Sequence, residues 1–216
     1  ILFDTRKSAL SRQNMKRHWS ALRQKSRPLH VLGSGFIEDV RKTYPRLKSF
    51  RTLNVIGLRG HRTKEILEGL LGESLDHAVL GDPGLLASEF IAGEQVKTCH
   101  RLGVIPHIVD KESSFIKACR DRDDTLVIDV ENEPMSFLRQ VASCEVIASP
   151  RLHGLIAADS LRIPSRWIKI SDGLKGDDFK FQDYYSVFDI PASFIDLRAN
   201  PAVDQLMEQT DSACSV

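Results

Sequence analysis

The sequence has few cysteines and no long apolar run. Its four cysteines, at positions 99, 119, 144 and 214, include no C-x-x-C pair. A zinc ribbon or a dithiol redox centre therefore has little support, and free thiols in a reducing compartment fit better. No stretch approaches the roughly 18 apolar residues that a membrane-spanning helix needs, and we expect no signal peptide. These absences favour a cytoplasmic protein.

Several ligand-binding patterns are also missing. The seven histidines form no H-E-x-x-H or similar pair, so no metal is expected. There is no G-x-x-x-x-G-K-[ST] sequence, and in Gly33-Ser34-Gly35 the third glycine of a dinucleotide-binding turn is replaced by Glu38. We therefore expect no cofactor. No aromatic-interleaved basic platform or helix-turn-helix pattern is present, which argues against nucleic acid as a partner.

The charge that is present lies unevenly along the chain. The 216 residues have a formal net charge of +1, with 42% hydrophobic and 27% charged residues, as in ordinary globular proteins. Residues 1–30 hold eight basic residues and one acid, which is +7, so the remainder carries −6. This basic start indicates either a solvated helix face or peripheral contact with an anionic membrane or polyanionic substrate.

Short apolar segments alternate with helical patterns from residue 77 to 170. This alternation predicts an α/β fold with Rossmann-like, mostly parallel sheets, which place ligands at the carboxyl ends of their strands. A boundary near residue 74 gives a partial N-terminal Rossmann-like domain over 1–74 that includes a basic helix, a C-terminal Rossmann-like domain over 75–200, and a tail over 201–216. We predict helices over 5–26, 63–71, 94–102, 113–120, 133–143 and 152–161, and strands over 29–32, 53–58, 77–80, 104–109, 125–130, 145–148 and 167–170.

The segment from Ser149 to Gly154 gives the strongest local signal for chemistry. It joins a strand to a helix, where unpaired backbone N–H groups form a site for an anion. Arg151 adds a guanidinium suited to phosphate or carboxylate. His153 lies in the first helical turn, where a neutral imidazole is feasible. Gly154 would let a ligand approach the backbone.

Further candidates lie in other loops, each with a structural alternative. Arg59 and Arg62 flank Gly60-His61 between a strand and a helix, and they indicate either an anion clamp or a solvated loop. Asp82, in a Gly-Asp-Pro-Gly turn, is a candidate for a base, for a group that binds a sugar hydroxyl, or for a cap of the turn. The remaining candidates are Ser34 in the glycine turn, His107 in an apolar strand, and Lys180 in the aromatic segment KFQDYY.

Taken in order, these segments resemble the polysaccharide pyruvyl transferase family. The resemblance rests on GSGF, LRGHRT, GDPGLL, GVIPHIVD, SPRLHGLIAADSLRIPSRWI and KFQDYY, between about residues 30 and 188. It implies two Rossmann-like domains in a GT-B-like arrangement. It also implies transfer of pyruvate from phosphoenolpyruvate to two hydroxyls of one sugar, forming a ketal in an exopolysaccharide or other cell-surface glycan.

The same resemblance implies roles for individual residues. Arg151 and His153 match donor-binding and catalytic positions, Arg59 matches a donor-binding group, and His107 matches a family histidine. Gly154 belongs to the same motif, and Asp82 is a candidate for orienting or deprotonating an acceptor hydroxyl.

Two other points complete the expectations. The strand and glycine-rich turn that usually open family members are missing before residue 30, so we expect a shortened or incomplete N-terminal domain. A lipid-linked oligosaccharide acceptor would place the protein at the inner face of the membrane. Two alternatives stay open at this point, a GT-B-like glycosyltransferase that uses a nucleotide sugar and a non-catalytic glycan-binding relative.

Overall fold

The computed structural model describes residues 28–41, 52–172, 178–199 and 202–210. The predicted basic helix over 5–26 lies outside the described residues.

The first part of the described chain forms a small sheet region of two parallel strand pairs, covered by one helix. Its elements are β1 (Leu29–Val31), β2 (Leu53–Val55), β3 (Gly57–Leu58), α1 (His61–Leu71) and β4 (Val79–Leu80). β1 pairs with β2 and β3 pairs with β4, all parallel. β3 continues β2 after a break at Ile56, which explains why the sequence predicts one strand over 53–58. Apolar side chains of the strands and of α1 form the core, among them Val31, Val55, Leu58 and Leu67.

The rest of the described chain forms a larger sheet with helices between its strands. In chain order the elements are a 3-10 helix (Pro83–Ile91), β5 (His100–Val104), a second 3-10 helix (Ile108–Asp110), α2 (Ser114–Arg120), β6 (Thr125–Val127), α3 (Pro134–Ala142), β7 (Cys144–Ser149), α4 (Leu152–Ser160), β8 (Ser165–Lys169), α5 (Phe179–Tyr185), a third 3-10 helix (Ser186–Phe188), β9 (Phe194–Asp196) and α6 (Val203–Thr210).

The five strands of this sheet are all parallel, in the order β6-β5-β7-β8-β9. In chain order this is 2-1-3-4-5, one of the two common doubly wound arrangements. The strand order reverses between β5 and β7, and apolar cores lie against the sheet on both sides of the strands. The predicted Rossmann-like, parallel α/β fold is confirmed. The GT-B-like arrangement and the domain boundaries stay predictions.

Some predicted elements are wrong. Residues 94–99 are not helical, and 100–104 form β5, whose Leu102 and Val104 are buried in the sheet. The strand predicted over 104–109 ends at Val104, so His107 lies in the following loop. The helix in this part of the chain begins instead at Pro83, after an Asp82 cap. In the segment taken as a tail, α6 packs Leu206 and Met207 into the core.

Two other features bear on the expected environment. Among the described helices, none combines the length and apolar character needed to cross a bilayer. Cys99, Cys119 and Cys144 are free thiols. Burial raises the pKa of the Cys119 thiol to about 12 and that of Cys144 to about 11, so both are inert.

Candidate active site at the carboxyl ends of the strands

The loops after β5 and β7 meet at the point where the strand order reverses. Open parallel sheets bind ligands at this point, because the two loops diverge there and leave a crevice. Ser149, the last residue of β7, ties the loops together. Its hydroxyl donates to the carbonyl oxygen of Ile105, at 3.0 Å, and accepts from the backbone N–H of Arg151, also at 3.0 Å. The two loops carry His107 and Arg151; the sequence predicts the loop position of Arg151, whereas it places His107 within a strand.

Arg151 stands immediately before α4 with part of its guanidinium unpaired. Its Nη1 is buried and has no hydrogen-bond partner among the described residues. Buried donors are nearly always paired, so an unpaired guanidinium nitrogen at a strand end indicates a place for an acceptor. The first turn of α4 also directs its unsatisfied N–H groups to this side of the sheet.

His107 is held in one tautomer. Its Nδ1 accepts the backbone N–H of Val109 at 3.3 Å, so the neutral ring carries its proton on Nε2. Burial lowers the pKa of His107, and the positive charges of Arg151 and Lys180 lower it further, against the opposing effect of Asp110. The imidazole is therefore neutral at neutral pH and offers Nε2–H as a donor.

Lys180, on α5, completes a group of basic side chains. Burial lowers the pKa of its ammonium, and the nearby charges of Arg151 and Arg59 add to this effect. Lys180 thus lies within range of the charges of Arg151 and Arg59, as His107 does of those of Arg151 and Lys180. We call Arg59, His107, Arg151 and Lys180 the basic cluster. No carboxylate forms an ion pair with Arg151 or Lys180 among the described residues, so the cluster fits an anionic ligand.

Arg59 is attached to the protein more firmly than its partners. It is only 8% exposed, and its Nε donates to the carboxylate of Asp183 on α5 at 3.0 Å. Its Nη2 donates to the carbonyl oxygen of Phe36. Asp183 is fully buried and also accepts from the N–H of Thr63, at 2.8 Å, and from its hydroxyl, at 2.6 Å. Of the three guanidinium nitrogens, Nη1 alone has no bond to the described residues.

Two glycines make room for this buried ion pair. A Cβ on Gly60 would lie 1.8 Å from the carbonyl oxygen of Asp183, and a Cβ on Gly35 would lie 2.5 Å from the Arg59 guanidinium carbon. Both distances are far shorter than a van der Waals contact. The glycines of the GSGF and LRGHRT segments are thus needed for close packing, which joins the first sheet to α5.

Two residues of the 149–154 segment differ in environment. His153 is exposed in the first turn of α4. Gly154 is buried, and a Cβ there would lie 2.6 Å from the Ser149 hydroxyl. We expected Gly154 to let a ligand approach the backbone, whereas its contacts show that it lets α4 pack against the end of β7. Its donor-binding role stays a prediction without support from these contacts.

The remaining sequence candidates lie at other positions. Asp82 caps the 3-10 helix Pro83–Ile91 by accepting the N–H of Gly84 at 2.9 Å, which is the structural alternative for this residue. Ser34 is exposed, and its carbonyl accepts the N–H of Arg59 at 3.1 Å. Arg62 lines a separate cleft beside Asp178 and Gln182.

The partners of these residues do not follow from the sequence. Asp183 binds Arg59 and also Thr63, which lies inside α1 because that helix begins at His61. Arg59 and Asp183 are 124 residues apart, so no local pattern links them. The one signal in the sequence is that Asp183 is an acid in an otherwise aromatic helix, because a buried acid is usually paired.

A basic cluster beside the strand-order reversal of a doubly wound sheet is typical of proteins that bind a small anionic ligand. Comparison with known sequences narrows this class. The polysaccharide pyruvyl transferase profile matches residues 2–172, and the chain belongs to that family.

Two curated relatives are similar to the chain. One is an uncharacterized protein, L143, of Acanthamoeba polyphaga mimivirus, 36% identical over 165 residues, which is 74% of this chain and 55% of the relative. The other is the succinoglycan biosynthesis protein ExoV of Rhizobium meliloti (strain 1021), 23% identical over 154 residues, which is 71% of this chain and 46% of the relative. The chain thus spans about half the length of the curated relatives it matches.

Proposed function

We propose that this chain binds phosphoenolpyruvate and contributes the donor site of a polysaccharide pyruvyl transferase. The observation that supports the proposal most is the basic cluster, with its buried, unpaired Arg151 Nη1, in a chain of this family. Phosphoenolpyruvate carries a phosphate and a carboxylate within three carbons. Such a compact, multiply charged anion needs several cations and N–H donors in one place.

Each member of the cluster has a distinct task in this proposal. Arg151 and the N–H groups at the start of α4 bind one acidic group of the donor. Lys180 and the remaining N–H groups of Arg59 bind the other. His107, neutral with Nε2–H, donates a hydrogen bond without adding a full charge. The pKa of Lys180 is lowered in the free protein, and a bound anion beside its ammonium would stabilise the charged form.

The reaction requires two proton movements. The two sugar hydroxyls form two bonds to C2 of the donor while the bond from C2 to the phosphate oxygen breaks. One hydroxyl proton goes to C3, which becomes a methyl group, and the other leaves with phosphate. We assign one of these two proton transfers to His153, the exposed imidazole in the first turn of α4. Positioned acid–base groups of this kind typically contribute about 10²–10⁴-fold in rate.

The acceptor and the location are also part of the proposal. The acceptor is a sugar of an exopolysaccharide or another cell-surface glycan, presented as a free or lipid-linked oligosaccharide. Pyruvyl transfer would then take place in the cytoplasm or at the inner face of the membrane. Asp82 is retained as the group that orients an acceptor hydroxyl, although its carboxylate already caps a helix.

Calorimetric titration with phosphoenolpyruvate tests the donor site without a known acceptor. Arg151→Ala and Lys180→Ala should each weaken binding by roughly 10–100-fold, since a hydrogen bond to a charged group contributes about 1.5–3 kcal/mol. Arg120→Ala, an exposed arginine on α2, is the matched control and should bind as wild type. Unchanged affinity in both site variants would refute the assignment, and preference for a uridine diphosphate would favour the glycosyltransferase alternative.

Phosphate release tests the chemistry. With phosphoenolpyruvate and a succinoglycan oligosaccharide as the acceptor probe, His153→Ala should lose about 10²–10⁴-fold in turnover. His77→Ala, an exposed histidine after α1, should keep the wild-type rate. Full turnover in His153→Ala would remove His153 from the mechanism.

A further inference from the structure

Asp159, near the end of α4, is a buried carboxylate that has no part in the proposed chemistry. It is 5% exposed. Its Oδ2 accepts the hydroxyl of Tyr184, on α5, at 2.8 Å, and its Oδ1 accepts the hydroxyl of Ser165, at the start of β8, at 3.2 Å. One side chain thus links α4, α5 and β8.

This arrangement disfavours the charged form of Asp159. Both partners are neutral hydroxyls, and no basic side chain forms an ion pair with Asp159 among the described residues. Burial accordingly raises the pKa of Asp159 to about 6, with the two hydrogen bonds acting in the opposite direction. An apolar residue would pack here without that desolvation penalty. Stability alone therefore does not explain an aspartate at this position.

The two helices that Asp159 joins both carry members of the basic cluster. Arg151 immediately precedes α4, and Lys180 lies four residues before Tyr184, on the same face of α5. The ion pair between Asp183 and Arg59 also holds α5. The position of α5 therefore decides where Lys180 stands relative to Arg151 and Arg59.

We propose that Asp159 is a positioning residue for the donor site, which holds α5 against α4 through Tyr184 and so sets the place of Lys180. The effect on donor binding rests on the proposed function, whereas the effect on α5 does not. The acceptor oxygen is the essential feature of Asp159, because the hydroxyl of Tyr184 must donate to it.

Three variants separate this role from plain packing. Tyr184→Phe removes the donor with little change in shape, and Asp159→Leu removes the acceptor at similar volume. Asp159→Asn retains an acceptor oxygen. Ser160→Ala is the matched control, because among the described residues its hydroxyl bonds only within α4, to the carbonyl oxygen of Ala157.

The first readout is acrylamide quenching of Trp167 in a Trp19→Phe background, since the chain has two tryptophans. Trp167 is 3% exposed and stacks on Phe181 of α5, with ring centroids 3.9 Å apart. Displacement of α5 therefore uncovers the indole. Tyr184→Phe and Asp159→Leu should raise quenching, and Asp159→Asn and Ser160→Ala should not.

The second readout is the dissociation constant for phosphoenolpyruvate. It is compared at urea concentrations that leave each variant as fully folded as wild type. Tyr184→Phe and Asp159→Leu should weaken binding by up to about tenfold, because at most the net free energy of one hydrogen bond is transmitted to the site, and Asp159→Asn should bind close to wild type. If Asp159→Leu fails to fold, Tyr184→Phe decides. Wild-type quenching and binding in Tyr184→Phe would overturn the proposal, as would an Asp159→Asn variant as impaired as the leucine variant. If wild type binds no phosphoenolpyruvate, the proposed function fails and quenching alone decides the role of Asp159.

Discussion

Replacing Asp183 by alanine is expected to destabilise the protein strongly. The carboxylate is fully buried and accepts three hydrogen bonds, one from Arg59 and two from Thr63. Without it, Arg59 keeps a charge that is 8% exposed and has lost its counter-ion. Removing one member of a buried pair typically lowers the free energy of unfolding by about 3–5 kcal/mol. That is a large part of the roughly 5–15 kcal/mol that stabilises most domains.

Urea denaturation followed by circular dichroism measures this effect. Asp178→Ala, one residue before α5, is the matched control. Its ion pair with Lys169 is only half-buried, with the Asp178 side chain 35% exposed, so its loss should cost much less than loss of the fully buried Asp183. The double variant Asp183→Leu with Arg59→Met removes both charges and should recover much of the lost stability. Equal free energies of unfolding for Asp183→Ala and Asp178→Ala would refute the argument that this pair joins α1 to α5.

Two further predictions concern packing and pH. Gly60→Ala should lower the melting temperature and reduce the yield of folded protein, because its Cβ would overlap the Asp183 backbone, whereas Gly69→Ala in α1, with no atom near its Cβ, should be neutral or stabilising. The pKa of Asp159 is about 6 in the folded protein and 3.8 for an unperturbed aspartate. Between these pH values the native state therefore keeps a proton that the unfolded state has lost. The contribution of Asp159 to stability should therefore fall by ~2 kcal/mol as pH rises from about 4 to 6, and by ~3 kcal/mol over the whole titration. Denaturation of Asp159→Asn should lack this decline, and an identical pH profile in both proteins would contradict it.

The sequence predicted most of the regular structure where a single local signal was clear. The β-branched residues of 125–127 and the Glu133-Pro134 start of α3 led to elements at nearly the right positions. It failed over 83–104 for two reasons. Asp82-Pro83-Gly84 also begins a helix, because Asp caps and Pro suits the first turn. The residues of β5 become a strand through pairing with β6 and β7, which local propensity does not show.

For the candidate site, the sequence predicted the loops but not the arrangement. Parallel strands place their loops at one edge, so the sequence predicts Arg59 and Arg151 near strand ends, whereas it places His107 inside a strand that in the structure ends at Val104. The sequence left Lys180 without a clear place, because its position depends on how α5 packs. Pairs between distant segments, such as Tyr184 with Asp159, form only in the folded chain.

A crystal structure of the protein with phosphoenolpyruvate would test the central claim most directly. We expect the donor to lie at the carboxyl ends of β5 and β7, with an acidic group on Arg151 Nη1 and on the first N–H groups of α4. Density for the donor at another place, with the basic cluster empty, would contradict the account.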